Sequence, residues 1–343
     1  MNANIKRLCI TPRVSGVGGM VTFSAKLSAG LAARGIQVTY DLADLPYGAV
    51  LVIGGTRQLV GLRRAGRGGL PIVQRLDGMN WLHRRTRTGA RHWLRAELAN
   101  WLLAYIRETL ATGVVFQSHF VREWWQRTRG SGPENAVIYN GVDLRKFSPQ
   151  GKETPPQDRI RILMVEGSLQ GGYELGLQTA VALAEGLQTE LGQKIDLAVA
   201  GKMDEGLKKK WTRKSKVPID WAGVVPNEQI PAFNRRAHFL YSADLNAACP
   251  NSVIEALACG LPVLAFDTGA LKELVTAPAG RVVPYGGDPW KLDPPNITGL
   301  VAGALELIQG QAAFRQGARA RAEESFGLDT MVEAYIQALG EGG

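Results

Sequence analysis

The chain has 343 residues, 45% hydrophobic and 21% charged, the balance of a soluble globular protein; at roughly 150 residues per domain it divides in two. The net charge of +9 is uneven, +13 over residues 1–150 and −4 over residues 151–343. The first half therefore faces something anionic (ligand phosphates, nucleic acid or a membrane surface) unless its charge only solvates the surface. The longest apolar stretch, residues 93–110, carries Arg95, Glu97, Asn100, Arg107 and Glu108, which excludes a transmembrane helix. Lys6 and Arg7 open on too few apolar residues for a signal peptide. Cys9, Cys249 and Cys259 are odd in number and set in apolar stretches, so a reduced, cytoplasmic compartment is expected. Their spacing suggests no metal site.

Short apolar runs alternate with helical patterns, the signature of a parallel sheet covered on both faces. The first half reads as strands at 7–11, 37–40, 49–54, 71–75, 114–117 and 136–139, with helices near 20–33, 60–65, 91–111 and 120–127. Gly35 stands where the first helix needs its C-cap. Residues 152–158, KETPPQD, are polar, hold two prolines and read as a linker. The alternation restarts with strands at 161–165, 196–200, 219–222, 238–242 and 262–266 and helices near 174–189, 227–235, 252–259 and 269–276. Residues 297–339 look helical, with a break near Gly327. The predicted division is an N-terminal domain (1–151), a C-terminal domain (152–325) and a last helix (326–343) free to cross back to the first domain. Ligands of such sheets bind outside the carboxyl ends of the strands, at the topological switch point. Two sheets facing each other would share that edge across a cleft.

The segment with the most chemistry is 249–274, CPNSVIEALACGLPVLAFDTGALKEL. Ser252 reads as an N-cap with Glu255 three residues on, a capping box in its plainest interpretation. The first turn of that helix offers backbone N–H groups to an anion. Gly260, Leu261 and Pro262 stop the helix and feed a buried strand, and Thr268, Gly269 and Ala270 sit where the strand ends.

This segment resembles the C-terminal signature of the family-four retaining glycosyltransferases of GT-B fold: a Glu, seven residues, a second Glu, then Ala-x-Ala-x-Gly-x-Pro-Val. Glu255, Ala256, Ala258, Gly260, Pro262 and Val263 match it. Residues 137–149, 223–236 and 15–35 resemble the same family's domain-closing segment, its Gly-x-Val helix and its glycine loop. The resemblance implies two Rossmann-like domains whose parallel sheets face an interdomain cleft, and a nucleotide-diphosphate sugar as donor, with no metal or other cofactor. It implies that Glu255 holds the donor ribose, that the backbone of Asn251, Ser252 and Val253 cradles the diphosphate, and that Val225, Pro226 and Ile230 border the base. It places Gly18 and Gly19 where the backbone must approach phosphates and sugar, and Gly167 in the corresponding loop of the second domain. Asp77, in RLDG, would bind a sugar hydroxyl or polarise the acceptor; an Asx turn closed by Gly78 is the alternative.

Three departures from the family pattern bear on activity. The first motif Glu is replaced by Ala247, with Asn246 as a nearby polar candidate. In VEGSLQGG (165–172) Ser168 stands in the place of an Arg and no Lys follows, so the leaving diphosphate loses two expected cations, each such donor being worth on the order of 10²–10³ in rate. The loop is also shortened there. Lys202 supplies one charge unless it is only a solvated strand end, and Arg13 or Arg57 could supply another. Of the four histidines, His83, His92, His119 and His238, none has metal-ligand spacing, and His238 reads as structural.

Residues 80–105, NWLHRRTRTGARHWLRAELANWLLAY, crowd Arg84, Arg85, Arg87, Arg91 and Arg95 beside Trp81, Trp93 and Trp101. Three readings stand: an amphipathic segment on an anionic membrane, a pocket for an anionic or sugar acceptor, or a core helix with Trp93, Leu94, Leu98, Trp101 and Leu102 turned inward. The acceptor of the protein is expected to be a sugar, lipid-linked or small molecule. The expectation is a cytoplasmic retaining glycosyltransferase, peripheral on the inner membrane face if the first reading holds. A GT-B protein that binds nucleotide or sugar without transfer is one rival. A nucleic-acid-binding protein using the basic half is the other, although no nucleic-acid-reading motif is present.

Overall fold

The computed structural model describes residues 5–16, 18–86, 89–133, 136–169 and 174–341. The chain forms two compact units, one of residues 1–141 with 328–343, the other of residues 142–327.

The first unit runs β1 (Arg7–Thr11), α1 (Gly19–Ala32), β2 (Gln37–Thr39), β3 (Ala49–Ile53), α2 (Leu59–Arg67), β4 (Ile72–Leu76), a 3-10 turn (Leu82–Arg84), α3 (Ala90–Thr109), β5 (Gly113–Phe116), α4 (His119–Arg129) and β6 (Ala136–Val137). The strands form one parallel sheet in the order β2-β1-β3-β4-β5-β6. Every residue of β3 is buried, as a strand covered on both faces requires. Ala49, Leu51 and Ile53 meet Phe23, Leu27 and Leu31 of α1 and Val332 and Tyr335 of the C-terminal helix, Leu328–Glu341. Val50 and Val52 meet Leu62 of α2 and Ile106 of α3 on the other face. Gly30 lets α1 approach the C-terminal helix: a Cβ there would lie 2.5 Å from a Val332 methyl.

The second unit runs β7 (Ile160–Ser168), α5 (Glu174–Leu191), β8 (Ile195–Lys202), α6 (Glu205–Lys214), β9 (Ile219–Gly223), α7 (Ile230–Arg235), β10 (Phe239–Tyr241), α8 (Asn251–Ala258), β11 (Val263–Phe266), α9 (Leu271–Leu274), β12 (Gly280–Val283), α10 (Ile297–Gln309) and α11 (Gln311–Ser325). Its parallel sheet has the order β12-β11-β10-β7-β8-β9, so the order reverses between β7 and β10, the switch point.

Several elements differ from the sequence reading. Helix α6 was not expected, because KKKWTRK shows no apolar stripe; its start is fixed by Asp204, whose carboxylate accepts from Leu207 N at 2.8 Å. Edge strand β12 has only four residues and no clear alternation. The helical tail breaks at Gly310 as well as before Leu328. The first unit ends at Gly141, ten residues before the expected boundary. The reason is that residues 142–149 are bonded into the second unit: Val142 N donates to Phe326 O at 2.8 Å, and Arg319 donates to Leu144 O and Phe147 O.

The core reading of α3 is overturned. Ala96, Asn100, Leu103, Ala104, Ile106 and Arg107 are its buried residues. Trp93, Leu94, Leu98 and Trp101 are exposed, and Leu102 is half-buried. Among the described residues no single helix is long and apolar enough to cross a membrane.

Candidate functional site

The carboxyl edge of the second sheet gathers most of the residues singled out in the sequence. Ser168 pairs with Lys202 across β7 and β8, and Ala200 with Gly223 across β8 and β9. Gly167, Lys202, Val225 and Pro226 therefore share one edge. Gly167 and Lys202 are exposed, Val225 is half-buried, and Ile230 is packed away. Part of the VEGSLQGG loop, 170–172, lies outside the described residues.

Helix α8 starts on the same edge, but not as a capping box. It begins at Asn251, with Pro250 in extended conformation at the N-cap (φ −68°, ψ 123°) and no side-chain cap. Ser252 lies inside the first turn, where its hydroxyl cannot serve as the cap. The first intrahelical donor is Ile254 N, to Pro250 O at 3.4 Å. The amides of Asn251, Ser252 and Val253 precede it and point out of the helix start, the geometry that receives an anion. Glu255 sits one turn further in, 6% exposed.

The loop between β10 and α8 packs against the turn after β11. Ala270 N donates to Ala247 O at 2.8 Å. Gly269 has φ +61°, and a Cβ there would lie 2.6 Å from both Ala247 O and Asn246 C. Asn246 takes the left-handed conformation (φ 55°), which Asn tolerates better than most residues. It is 6% exposed and its Nδ2 has no hydrogen-bond partner among the described residues; Thr268, 4% exposed, has an Oγ1 in the same state. An orphaned buried donor costs roughly 1–3 kcal/mol. Two of them beside Ala247 suit a ligand that brings its own hydroxyl or phosphate oxygens.

The sequence reading missed the charge at the switch point. Glu166, on β7, and Asp244, after β10, come together there although far apart in sequence. Burial first, and then the Asp244 carboxylate, push Glu166 well above the ordinary carboxylate range, although its carboxylate accepts a hydrogen bond from the Ala243 amide. Burial raises Asp244 as well. Strand β7 changes register between Val165 and Ser168. Gly201 (φ +150°) lets β8 pass this irregularity, since a Cβ there would collide with Glu166 O. The readable signal was a carboxylate at the end of each of two strands flanking the switch point.

On the first unit, Gly18 is the N-cap of α1 and Gly19 its first residue, just past the β1–α1 turn. Gly18 has φ +143°, a conformation that favours glycine, and a Cβ there would meet open space. Asp77 follows β4; burial raises its carboxyl while the Arg75 guanidinium pulls it back down. Arg75 is itself buried, lies 3.7 Å over the Phe23 ring and donates to Asn140 Oδ1 at 2.8 Å. Trp125 Nε1 donates to Asp77 O at 2.8 Å, and the Trp124 ring fills the space a side chain at Gly78 would need.

His238 lies before β10, at the amino edge, away from these groups. Its Nδ1 accepts from Arg161 N at 3.0 Å, and burial followed by the Arg315 charge lowers its pKa to about 4. Cys9, Cys249 and Cys259 are all buried. Among the described residues no group of three His, Cys, Asp or Glu side chains could hold a metal ion.

Residues 151–322 match the family model described as glycosyl transferases group 1. D-inositol 3-phosphate glycosyltransferase 1 of Catenulispora acidiphila is 26% identical over 208 residues, 53% of this chain and 49% of the relative. The chain thus aligns with about half the length of that curated relative. Sucrose-phosphate synthase from Thermosynechococcus elongatus superposes with a TM-score of 0.72 at 15% identity, covering 96% of this chain and 97% of the other. Anabaena Alr3699/HepE, in complex with UDP and glucose, gives a TM-score of 0.68 at 16% identity, covering 98% and 99%. These likenesses show the fold, two Rossmann-like α/β units of the GT-B class.

Proposed function

The chain belongs to the glycosyl transferases group 1, and from that premise we propose that it transfers a sugar from a nucleotide-diphosphate sugar to an acceptor with retention at the anomeric carbon. The observation that carries the reading is the start of α8, where the amides of Asn251, Ser252 and Val253 follow an extended Pro250 with no side-chain cap. They bind the diphosphate, Glu255 holds the ribose, and Val225 and Pro226 border the base. Gly167 leaves room for the donor, since a Cβ at that position would meet nothing within 4 Å among the described residues. Asn246 Nδ2 and Thr268 Oγ1 take sugar hydroxyls, work that Ala247 cannot do. On the first unit, Gly18 and Gly19 leave backbone open to a ligand, and Asp77 takes a sugar or acceptor hydroxyl.

In the reaction the acceptor oxygen bonds to the anomeric carbon as the bond to the diphosphate oxygen breaks on the same face. The acceptor proton passes to that leaving oxygen. A carboxyl that keeps its proton near neutral pH donates a hydrogen bond instead of repelling a phosphate. Glu166 fills that role where the family pattern has cations, and Lys202 adds a charge.

UDP is the first nucleotide to test, because Anabaena HepE is described in complex with UDP and with UDP-glucose. Calorimetric titration with UDP, GDP and ADP is expected to find one that binds. Asn251→Pro deletes one phosphate-facing amide at a position where proline suits a helix. It should weaken that nucleotide roughly tenfold or more, the worth of one charge-assisted hydrogen bond. Failure of all three nucleotides to bind, or an unchanged affinity in Asn251→Pro, would refute the reading. Ser168 and Ala247, where the family pattern has an Arg and a Glu, also favour a second reading, a protein that binds the donor without transfer. Donor binding with neither hydrolysis nor transfer across a broad acceptor screen would select it.

A further inference from the structure

Helix α3 carries apolar side chains on two opposite faces. At roughly 100° per residue, Ala96, Leu103 and Ile106 form its inner side. Ile106 enters the core beneath the first sheet, and Leu103 O accepts from Gln74 Nε2 at 3.1 Å. Leu94, Leu98 and Trp101 form a stripe on the opposite side, with Trp93 beside it; these four residues are 47 to 65% exposed. Large apolar side chains left in water along one helix face mark a surface that something covers.

The surroundings of the stripe say what covers it. Trp101 stacks on Tyr105, with ring centroids 5.2 Å apart and planes 18° from parallel. Arg63, from α2, lies over the Tyr105 ring and donates to its hydroxyl. Arg91 and Arg95 are exposed along one flank of the stripe, and Arg85, Arg64 and Arg67 are also exposed. The acid within the helix, Glu97, is engaged by Arg84 at 2.6 and 2.8 Å and by His83 at 2.8 Å, so it does not offset the flanking arginines. The remaining acid of α3, Glu108, lies at its far end. Arg87 lies outside the described residues.

Tryptophans and leucines bordered by arginines match the two layers of an anionic bilayer surface. The apolar stripe enters the acyl boundary, the indoles settle at headgroup depth, and the arginines meet lipid phosphates. We propose that α3 is a membrane-docking helix, which lays Trp93, Leu94, Leu98 and Trp101 into the surface of an anionic bilayer with Arg91 and Arg95 on its phosphates. This surface is independent of the donor-site reading, and either can fail alone.

The test is flotation of the full chain with vesicles of phosphatidylcholine alone, or of an equal mixture with phosphatidylglycerol, at low and high salt. Binding is expected with the mixed vesicles and should weaken as salt rises. Leu94→Glu/Leu98→Glu should lower vesicle affinity about tenfold or more, and Arg91→Gln/Arg95→Gln about fivefold per arginine. Both double variants change exposed side chains, so thermal melting and nucleotide titration should match the wild type and exclude misfolding. Flotation no better with the mixed vesicles than with the neutral ones would overturn the proposal, as would wild-type flotation by Leu94→Glu/Leu98→Glu. A concentration-dependent dimer in sedimentation, lost in that variant and unable to float, would assign the stripe to a second copy of the chain instead.

Discussion

Gly269→Ala should unseat the loop between β10 and α8. The φ of +61° costs an L-residue roughly 1–2 kcal/mol. The new methyl would stand 2.6 Å from Ala247 O and Asn246 C, about 1 Å inside ordinary contact, and overpacking of that kind adds roughly 1–3 kcal/mol. If the backbone retreats, the 2.8 Å bond from Ala270 N to Ala247 O is lost, roughly another 1 kcal/mol. The expected loss is about 2–5 kcal/mol in urea unfolding at unchanged slope, with nucleotide affinity falling because the loop leads directly into α8. Gly167→Ala is the matched control. Its Cβ meets open space, so stability should hold within about 0.5 kcal/mol while donor affinity drops. Equal stability of Gly269→Ala and wild type would refute the assigned packing. A destabilised Gly167→Ala would refute the claim that only a ligand needs that space.

Glu166→Gln should raise Tm over wild type increasingly as pH climbs from 5 to 9. The folded state holds the Glu166 proton to higher pH than the unfolded chain does, so wild-type stability is full at low pH and falls as pH rises through the raised value. A Tm difference independent of pH would remove that group from the account, and nucleotide affinity that falls with pH in wild type should stay flat in the variant. Thr268→Val removes an orphaned hydroxyl and should leave the unliganded protein as stable or more so. In paired titrations it should bind the nucleotide sugar more weakly and the nucleoside diphosphate equally; loss of both would place Thr268 elsewhere. Burial raises Cys9 and Cys259 to about 11, so at pH 8 native protein should alkylate slowly at these thiols and unfolded protein rapidly. Mass spectrometry showing either thiol modified in the native state would contradict the packing of its strand or helix.

Most of the architecture was legible because it is written locally. AVLVI can only be a strand buried on both faces, and CGLPVLAF stops a helix and starts a strand by glycine and proline chemistry alone. Gly167, Lys202, Val225 and Pro226 fell on one sheet edge for the same reason: each lies at or just after the carboxyl end of a strand. Residues 142–149 were assigned to the wrong unit because their bonds to Phe326 and Arg319 come from far along the chain.

By itself, then, the sequence determined two alternating β–α units and the helix start at which an anion can be held. The tertiary structure alone decided which carboxylates meet and which face of α3 reaches solvent. Parallel pairing sets β7 against β10 and so brings Glu166 beside Asp244, a neighbourhood no local pattern encodes. A helix apolar on both sides has no single preferred inward face. The sheet selected Leu103 and Ile106, and the tryptophans were left outside.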